Sequence, residues 1–303
     1  MRKLLNTLFV TQPDVYLSLD GDNIILLKKK ERLGRIPLHN IESIVTFGYT
    51  GASPALMGYC AERNISIVFL TMNGRYLARV IGQSRGNVVL RKKQYRISDN
   101  EECSALIARN FIIGKVFNNK WIIERMTRDH PMRIDVEQFK DTSAQLSLII
   151  DEVMECSDLE SLRGWEGQAA IAYNKVFNQM ILQQKEDFYF KLRTRRPPQD
   201  NVNAMLSFAY ILLANDVTSA LETVGLDAYV GFLHRERPGR ASLGLDVMEE
   251  LRGVFADKFV LNLINNRVIN SNDFIKKENG AVLMKDEARK KFLSAWQRRK
   301  QDK

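Results

Sequence analysis

The chain has 303 residues, with 45 Lys and Arg against 36 Asp and Glu, a net charge of +9. That length buries a full core and divides most simply into two domains. The basic balance favours a polyanionic partner, most simply nucleic acid, with a soluble protein of basic surface as the alternative. Cys60, Cys103 and Cys156 are odd in number and widely spaced, without a CxxC or Cys/His zinc pattern. They exclude a zinc knuckle and predict reduced, structural thiols in a cytoplasmic protein.

Residues 1–10 begin basic and apolar, but Asn6 and Thr7 interrupt the run and no small-residue cleavage site follows. The stretch predicts a leading strand, not a signal peptide, and no segment reads as a membrane span. Residues 15–19 and 24–27 flank Asp20-Gly21-Asp22-Asn23, a hairpin turn signal. Residues 41–47 and 65–70 predict strands, Ser53-Pro54 starts a helix to about 63, and Asn73-Gly74 turns into a strand over 76–81. Residues 1–82 therefore predict a small N-terminal β-strand domain. The polar residues 83–87 open a linker over 83–100 that carries Arg91, Lys92, Lys93 and Arg96. Helical periodicity over 105–126, 135–156, 159–184, 201–224, 243–265 and 285–301 predicts a larger all-α domain over 101–303. The expected class is α+β.

The chemistry-bearing residues concentrate in the helical part. Between Gly225 and Asp257, His234 is followed by Arg235, Arg237 and Arg240, then by Asp246 and Glu249. Pro238 and Gly239 make the first part a loop, and Ser242 is placed to cap the helix that follows. On that helix Asp246 and Glu249 are three apart and share a face. A buried carboxylate needs a partner, which a metal or Arg240 or Arg252 would supply. Glu166 lies between Gly164 and Gly167, where small residues permit close approach of a ligand or backbone. Taken singly, each of these residues is more often a solvated or hydrogen-bonded structural group than a ligand. A set of Glu166, His234 and Glu249 or Asp246 is oxygen-rich and free of thiolate, which suits Mg²⁺ or Mn²⁺ better than zinc. Such an ion assists phosphodiester chemistry. Arg193, Arg195 and Arg196 precede Pro197-Pro198 and, with Arg237 and Arg240, are candidates for gripping DNA phosphates; pairing with Glu236 and Asp200 is the alternative.

Several ordered motifs then resemble one family. They are Arg163-Gly-Trp-Glu-Gly167, the run from Arg196 to Tyr210, the run from Gly225 to His234, and Ser242-Leu-Gly-Leu-Asp-Val-Met-Glu-Glu-Leu-Arg252. Pro37-Leu38-His39-Asn40 and residues 69–75 extend the likeness over nearly the whole chain. The sequence resembles the CRISPR-associated integrase family Cas1, most of all its subtype I-C branch. The resemblance implies a metal-dependent DNA integrase and endonuclease that inserts short spacer DNA into the repeat array. It implies a homodimer, with the β-domains contributing to the interface, that assembles with the small partner Cas2. Glu166, His234 and Glu249 map to the family's metal ligands, and Asp246 to a supporting acidic position. A DNA-binding scaffold without chemistry, and a metal-dependent phosphodiester hydrolase without integration, are the competing readings. Gly253 stands where many members have proline, which predicts a helix that ends or bends differently. The last residues stop in mid-helix pattern, which predicts a truncated C-terminus.

Overall fold

The computed structural model describes residues 6–82 and 88–301. The first five residues of the expected leading strand, residues 83–87 of the expected linker and the last two residues lie outside them. In the N-terminal part, short runs rich in β-branched and apolar residues form two sheets. The strands are β1 (Thr7–Val10), β2 (Tyr16–Asp20), β3 (Asn23–Lys28), β4 (Glu31–Pro37) and β5 (Ser43–Phe47). Helix α1 (Pro54–Glu62) and strands β6 (Ser66–Leu70) and β7 (Tyr76–Val80) follow. Strands β2, β3 and β4 make an antiparallel meander. The other sheet has order β1-β5-β6-β7, parallel except for the β6–β7 pair. β4, which the sequence reading did not anticipate, is a mostly exposed strand at the meander's edge, where alternation is weak. Ser53 caps α1 by accepting from the Leu56 amide at 3.2 Å, with Pro54 at the first helical position. Leu17, Ile24, Leu38, Ile44, Leu56 and Ile67 are fully buried between these elements.

The larger part is mostly helical: α2 (Val88–Ser98), α3 (Glu101–Asp129), α4 (Val136–Glu155), α5 (Leu159–Phe177), α6 (Asn201–Thr223), α7 (Ser242–Leu251) and α8 (Lys258–Asn265). A single π-helical stretch, Arg252–Asp257, joins α7 to α8. A short hairpin, β8 (Phe274–Lys276) with β9 (Val282–Met284), interrupts what the sequence reading expected to be all-α. Asn100, Asp135, Asp158 and Asp200 each accept from an amide three residues on and start α3, α4, α5 and α6. Each such cap is worth about 1 kcal/mol.

Two further differences concern the domain plan. The expected linker holds the regular helix α2, whose turn-rich approach at 83–87 hid it in the sequence. The final helix, α9 (Asp286–Gln301), groups with the N-terminal strands and not with the helical unit. The Thr7 amide donates to Gln297 Oε1 at 3.2 Å, and Phe292 and Trp296 are buried. Helix α6 is long and apolar enough to cross a membrane, with a mean hydropathy of 1.4, against the sequence reading that no segment approaches a span. Val202, Met205, Leu206, Ala209 and Leu212 are buried within the protein, which is why it is apolar on more than one face. Of the three free cysteines, only Cys60 is buried in a core; Cys103 is exposed.

Candidate active site

The loop before α7 is organised by one carboxylate. Asp246, fully buried, accepts from the amides of Phe232, Leu233 and His234 at 2.6, 3.0 and 3.0 Å. Its Oδ1 also lies 2.6 Å from His234 Nδ1. A carboxylate that accepts three amides leaves Nδ1 as the donor, so in the neutral imidazole the lone pair lies on Nε2. Gly231 allows this wrap: a Cβ there would come within 2.7 Å of Asp246 Oδ2. Ser242 does not cap α7. It is buried inside the first turn, Ala241 holds the cap position, and the Ser242 hydroxyl reaches the Arg235 carbonyl at 3.5 Å.

The start of the same loop is held from α2. Gln94 is 3% exposed and donates to the carbonyls of Asp227 and Val230 at 2.7 and 2.8 Å. It accepts from the Asp227 amide at 2.9 Å, and Tyr95 donates to Asp227 Oδ2 at 2.8 Å. A residue assigned to a linker thus fixes the backbone leading to His234. Nothing in its local sequence marks it, because its partners lie more than 130 residues away.

Glu249, one turn beyond Asp246, has a different set of partners. It is 2.7 Å from Lys115 Nζ of α3, and Arg252 Nη1 sits 3.1 and 3.2 Å from its two oxygens. The Lys115 ammonium also pairs with Glu166 Oε1 of α5. Burial raises the Glu249 carboxyl, but Arg252 and Lys115 outweigh it and hold the group at about 2. Behind Arg252 lies a buried polar network. Tyr210 donates to Asp257, and the Arg252 guanidinium lies 4.3 Å from the Tyr210 ring. Burial raises Asp257 to about 6, with Arg252 and Tyr210 opposing. Gly253 lets the helix continue as a π-helical turn, so the expected altered end is a widening; a side chain there would collide with Asn119 of α3.

Two cavities adjoin these groups. One, of about 240 Å³, is lined by Lys115, Glu166, Tyr173, Arg193, Tyr210 and Arg252 among others. The other, of about 270 Å³, is lined by Glu166, His234, Arg163, Arg235, Arg237 and Arg240. Glu166 belongs to both. Arg195, Arg196 and Arg237 are exposed. Arg193 lines the first cavity together with Arg195, but its guanidinium is engaged by the protein. It turns inward to Asn203 Oδ1 and Ser207 Oγ at 2.8 and 3.0 Å and lies over Tyr210. Burial lowers its pKa from the usual guanidinium range. Asn203 draws it in, being fully buried and needing donors for its carbonyl oxygen. Gly164 and Gly167 have no neighbour within 4 Å of where a Cβ would stand, so the expected close approach at these glycines is not seen.

The donors fit a hard divalent ion in kind: two carboxylates, Glu166 and Glu249, and one imidazole oriented by a third, Asp246, the arrangement usual behind a metal-ligating histidine. Among the described residues, however, no three His, Cys, Asp or Glu side chains form a ready metal cluster. Lys115 holds the position between Glu166 and Glu249 instead. Lys115 was missed in the sequence, although it falls on the buried stripe of α3 with Ala108, Ile112, Asn119 and Ile122. A lysine on an apolar stripe signals a buried acidic partner.

Comparison with known proteins gives the family. A family model described as CRISPR associated protein Cas1 matches residues 8–298. A CRISPR-associated endonuclease Cas1 of Chlorobaculum tepidum is 46% identical over 302 residues, covering 100% of this chain and 88% of that protein. One of Rhodospirillum rubrum is 47% identical over 304 residues, covering 99% and 88%. A solved Cas1 protein from Thermotoga maritima superposes with a TM-score of 0.83 at 25% identity, over 97% of this chain and 89% of that one. At 23% identity, the fold alone is shared with a casposase bound to integration product, with a TM-score of 0.82 over 97% of this chain and 82% of that one. It is shared likewise with a Cas6-RT-Cas1–Cas2 complex, with a TM-score of 0.80 over 98% of this chain and 32% of that one. With the family model matching nearly end to end and two relatives sharing close to half their residues, the chain belongs to the CRISPR-associated endonuclease family Cas1.

Proposed function

We propose that this Cas1 is a metal-dependent DNA integrase and endonuclease of CRISPR adaptation. It joins the 3′-hydroxyl end of short spacer DNA to a phosphodiester of the repeat array. One phosphorus–oxygen bond forms as another breaks, and the hydroxyl proton replaces the lost bond on the leaving oxygen, so no external energy source is needed. The observation that carries this reading is the convergence of Glu166 and Glu249 on one cation, beside a histidine whose Nδ1 is engaged by buried Asp246. Glu166, His234 and Glu249 would hold Mg²⁺ or Mn²⁺, which polarises a phosphoryl oxygen and activates a hydroxyl or water.

The chain's own residues contribute orientation and charge. Asp246 keeps His234 Nε2 free to ligate. Arg237 and Arg240, lining the cavity that Glu166 and His234 share, take the DNA phosphates. The fold shared with a casposase on its product supports integration, and the fold shared with a chain of a Cas1–Cas2 complex supports Cas2 as partner. We assign a homodimer and the subtype I-C branch on the family motifs alone. Light scattering tests the dimer, and preference for a I-C repeat over other repeats tests the branch.

The deciding experiment is plasmid integration of a short duplex with 3′-hydroxyl ends, with and without Mn²⁺ and Cas2. Joined product that requires the metal is expected. Cleavage without joining would favour a hydrolase, and binding without either would favour a scaffold.

A further inference from the structure

Lys115 is given no chemical task in the proposed reaction, yet it is the cation that touches both carboxylates of the centre. Its side chain is 5% exposed. Its ammonium pairs with Glu166 Oε1 and lies 2.7 Å from Glu249 Oε2. Those carboxylates come from α5 and α7, while Lys115 comes from α3, so three separate helices meet at one positive charge.

An ammonium and a divalent ion cannot share these oxygens. At the separations that ligation requires, the two cations would face each other within a few ångströms in a poorly solvated site, where repulsion is weakly screened. Glu249 retains Arg252 as a partner when Lys115 leaves, so withdrawal does not strand a buried carboxylate. The cavity of about 240 Å³ that Lys115 itself lines gives the ammonium somewhere to go, where Asn119, Asn174 and Asp257 offer oxygen acceptors against the guanidiniums of Arg193, Arg195 and Arg252 on the same wall.

We infer that Lys115 is the resident counter-ion of the metal-free centre, and that a divalent ion binds by displacing its ammonium into the adjoining cavity. The centre is then a cation-exchange site: one internal positive charge holds Glu166 and Glu249 together until the ion arrives. Metal affinity is set partly by the cost of moving Lys115, which lies outside the ligand set. This inference rests on the metal reading above, and the test separates the two.

Mn²⁺ is titrated calorimetrically into DNA-free wild-type protein, Lys115→Met and Glu166→Ala. The expected result is a site in the wild type that Glu166→Ala removes and that Lys115→Met binds at least tenfold more tightly. Equal or weaker binding by Lys115→Met, with the wild-type site intact, overturns the displacement while leaving the metal reading in place. Absence of any Glu166-dependent site overturns both. A second measurement uses the wild type alone, in case the variant does not fold. Amine acylation followed by mass spectrometry should find Lys115 protected without metal and labelled several-fold faster at saturating Mn²⁺. Protection that the metal does not change overturns the inference.

Discussion

Asp246 and Glu249 stand one turn apart on α7, both buried, and they are held in opposite ways. Asp246 is satisfied by three backbone amides and an imidazole from a loop only 12–14 residues away. Glu249 is satisfied by the flexible ends of Lys115 and Arg252, one of them from a distant helix. Amide donors are fixed by the backbone and cannot leave without unfolding the loop. An ammonium on a four-carbon stem can. Under the metal reading, the first half of the site is rigid and would orient a ligand, and the second is exchangeable and would admit one.

The comparison is broken most severely at the proposed ligands. Glu166→Ala and His234→Ala should abolish strand transfer while DNA affinity in a gel-shift titration stays within about twofold, because Lys and Arg contacts to phosphate supply the binding. Turnover at the wild-type rate in either variant would remove the assignment. On the rigid half, Asp246→Asn should cost about 10–100-fold in integration, the range typical of a residue behind a metal ligand. The larger Asp246→Ala change leaves three amides without their acceptor and should cost roughly 3–5 kcal/mol in urea unfolding. If Asp246→Asn costs no more than a surface change, the loop is not organised by that carboxylate.

The basic surface gives a smaller effect on a different axis. The combined variant Arg195→Ala, Arg196→Ala, Arg237→Ala, Arg240→Ala should flatten the dependence of log affinity on log salt by about 0.9 per lost phosphate contact. An unchanged slope would return these arginines to bulk solvent. Arg193→Ala should act instead on stability, since its guanidinium serves Asn203 and Ser207.

The smallest effects are in pH, and they separate the exchangeable half from the network behind it. Glu249, held near 2 against an ordinary 4.5, contributes stability that is present above pH 4.5 and lost as pH falls toward 2. Asp257, raised to about 6 against 3.8, contributes stability that is present below pH 3.8 and lost as pH rises through 6. In metal-free protein, Glu249→Gln should flatten the Tm profile on the acid side. Asp257→Asn should flatten it between about pH 4 and 6. Melting curves of both variants that parallel the wild type would contradict these assignments.

Much of the site was legible in the chain. The helices expected from 135, 159 and 201 do begin there, behind Asp135, Asp158 and Asp200, because a short side-chain oxygen meets a free amide within three residues. His234, Asp246, Glu249 and Arg252 lie within one segment of 19 residues, so their grouping follows from a loop and a helix face. Residue type alone did not show that Arg193 engages Asn203 and Ser207 while lining a cavity, and it misled at Ser242, which became part of the first turn instead of its cap. Helix α2 was hidden by the turn-rich residues before it, and α9 was assigned to the wrong unit because its apolar face carries no record of what covers it.

The sequence by itself determined the two-part α+β plan, the family and the residue types of the site, since these depend on periodicity, capping and ordered motifs read along the chain. Tertiary structure alone decided which charges face one another. Lys115 meets Glu166 across 51 residues, and Gln94 meets Asp227 across 133. The physical reason is burial: a charged or amide group in a dry interior must be paired, and which partner answers is settled by the packing of helices distant in sequence.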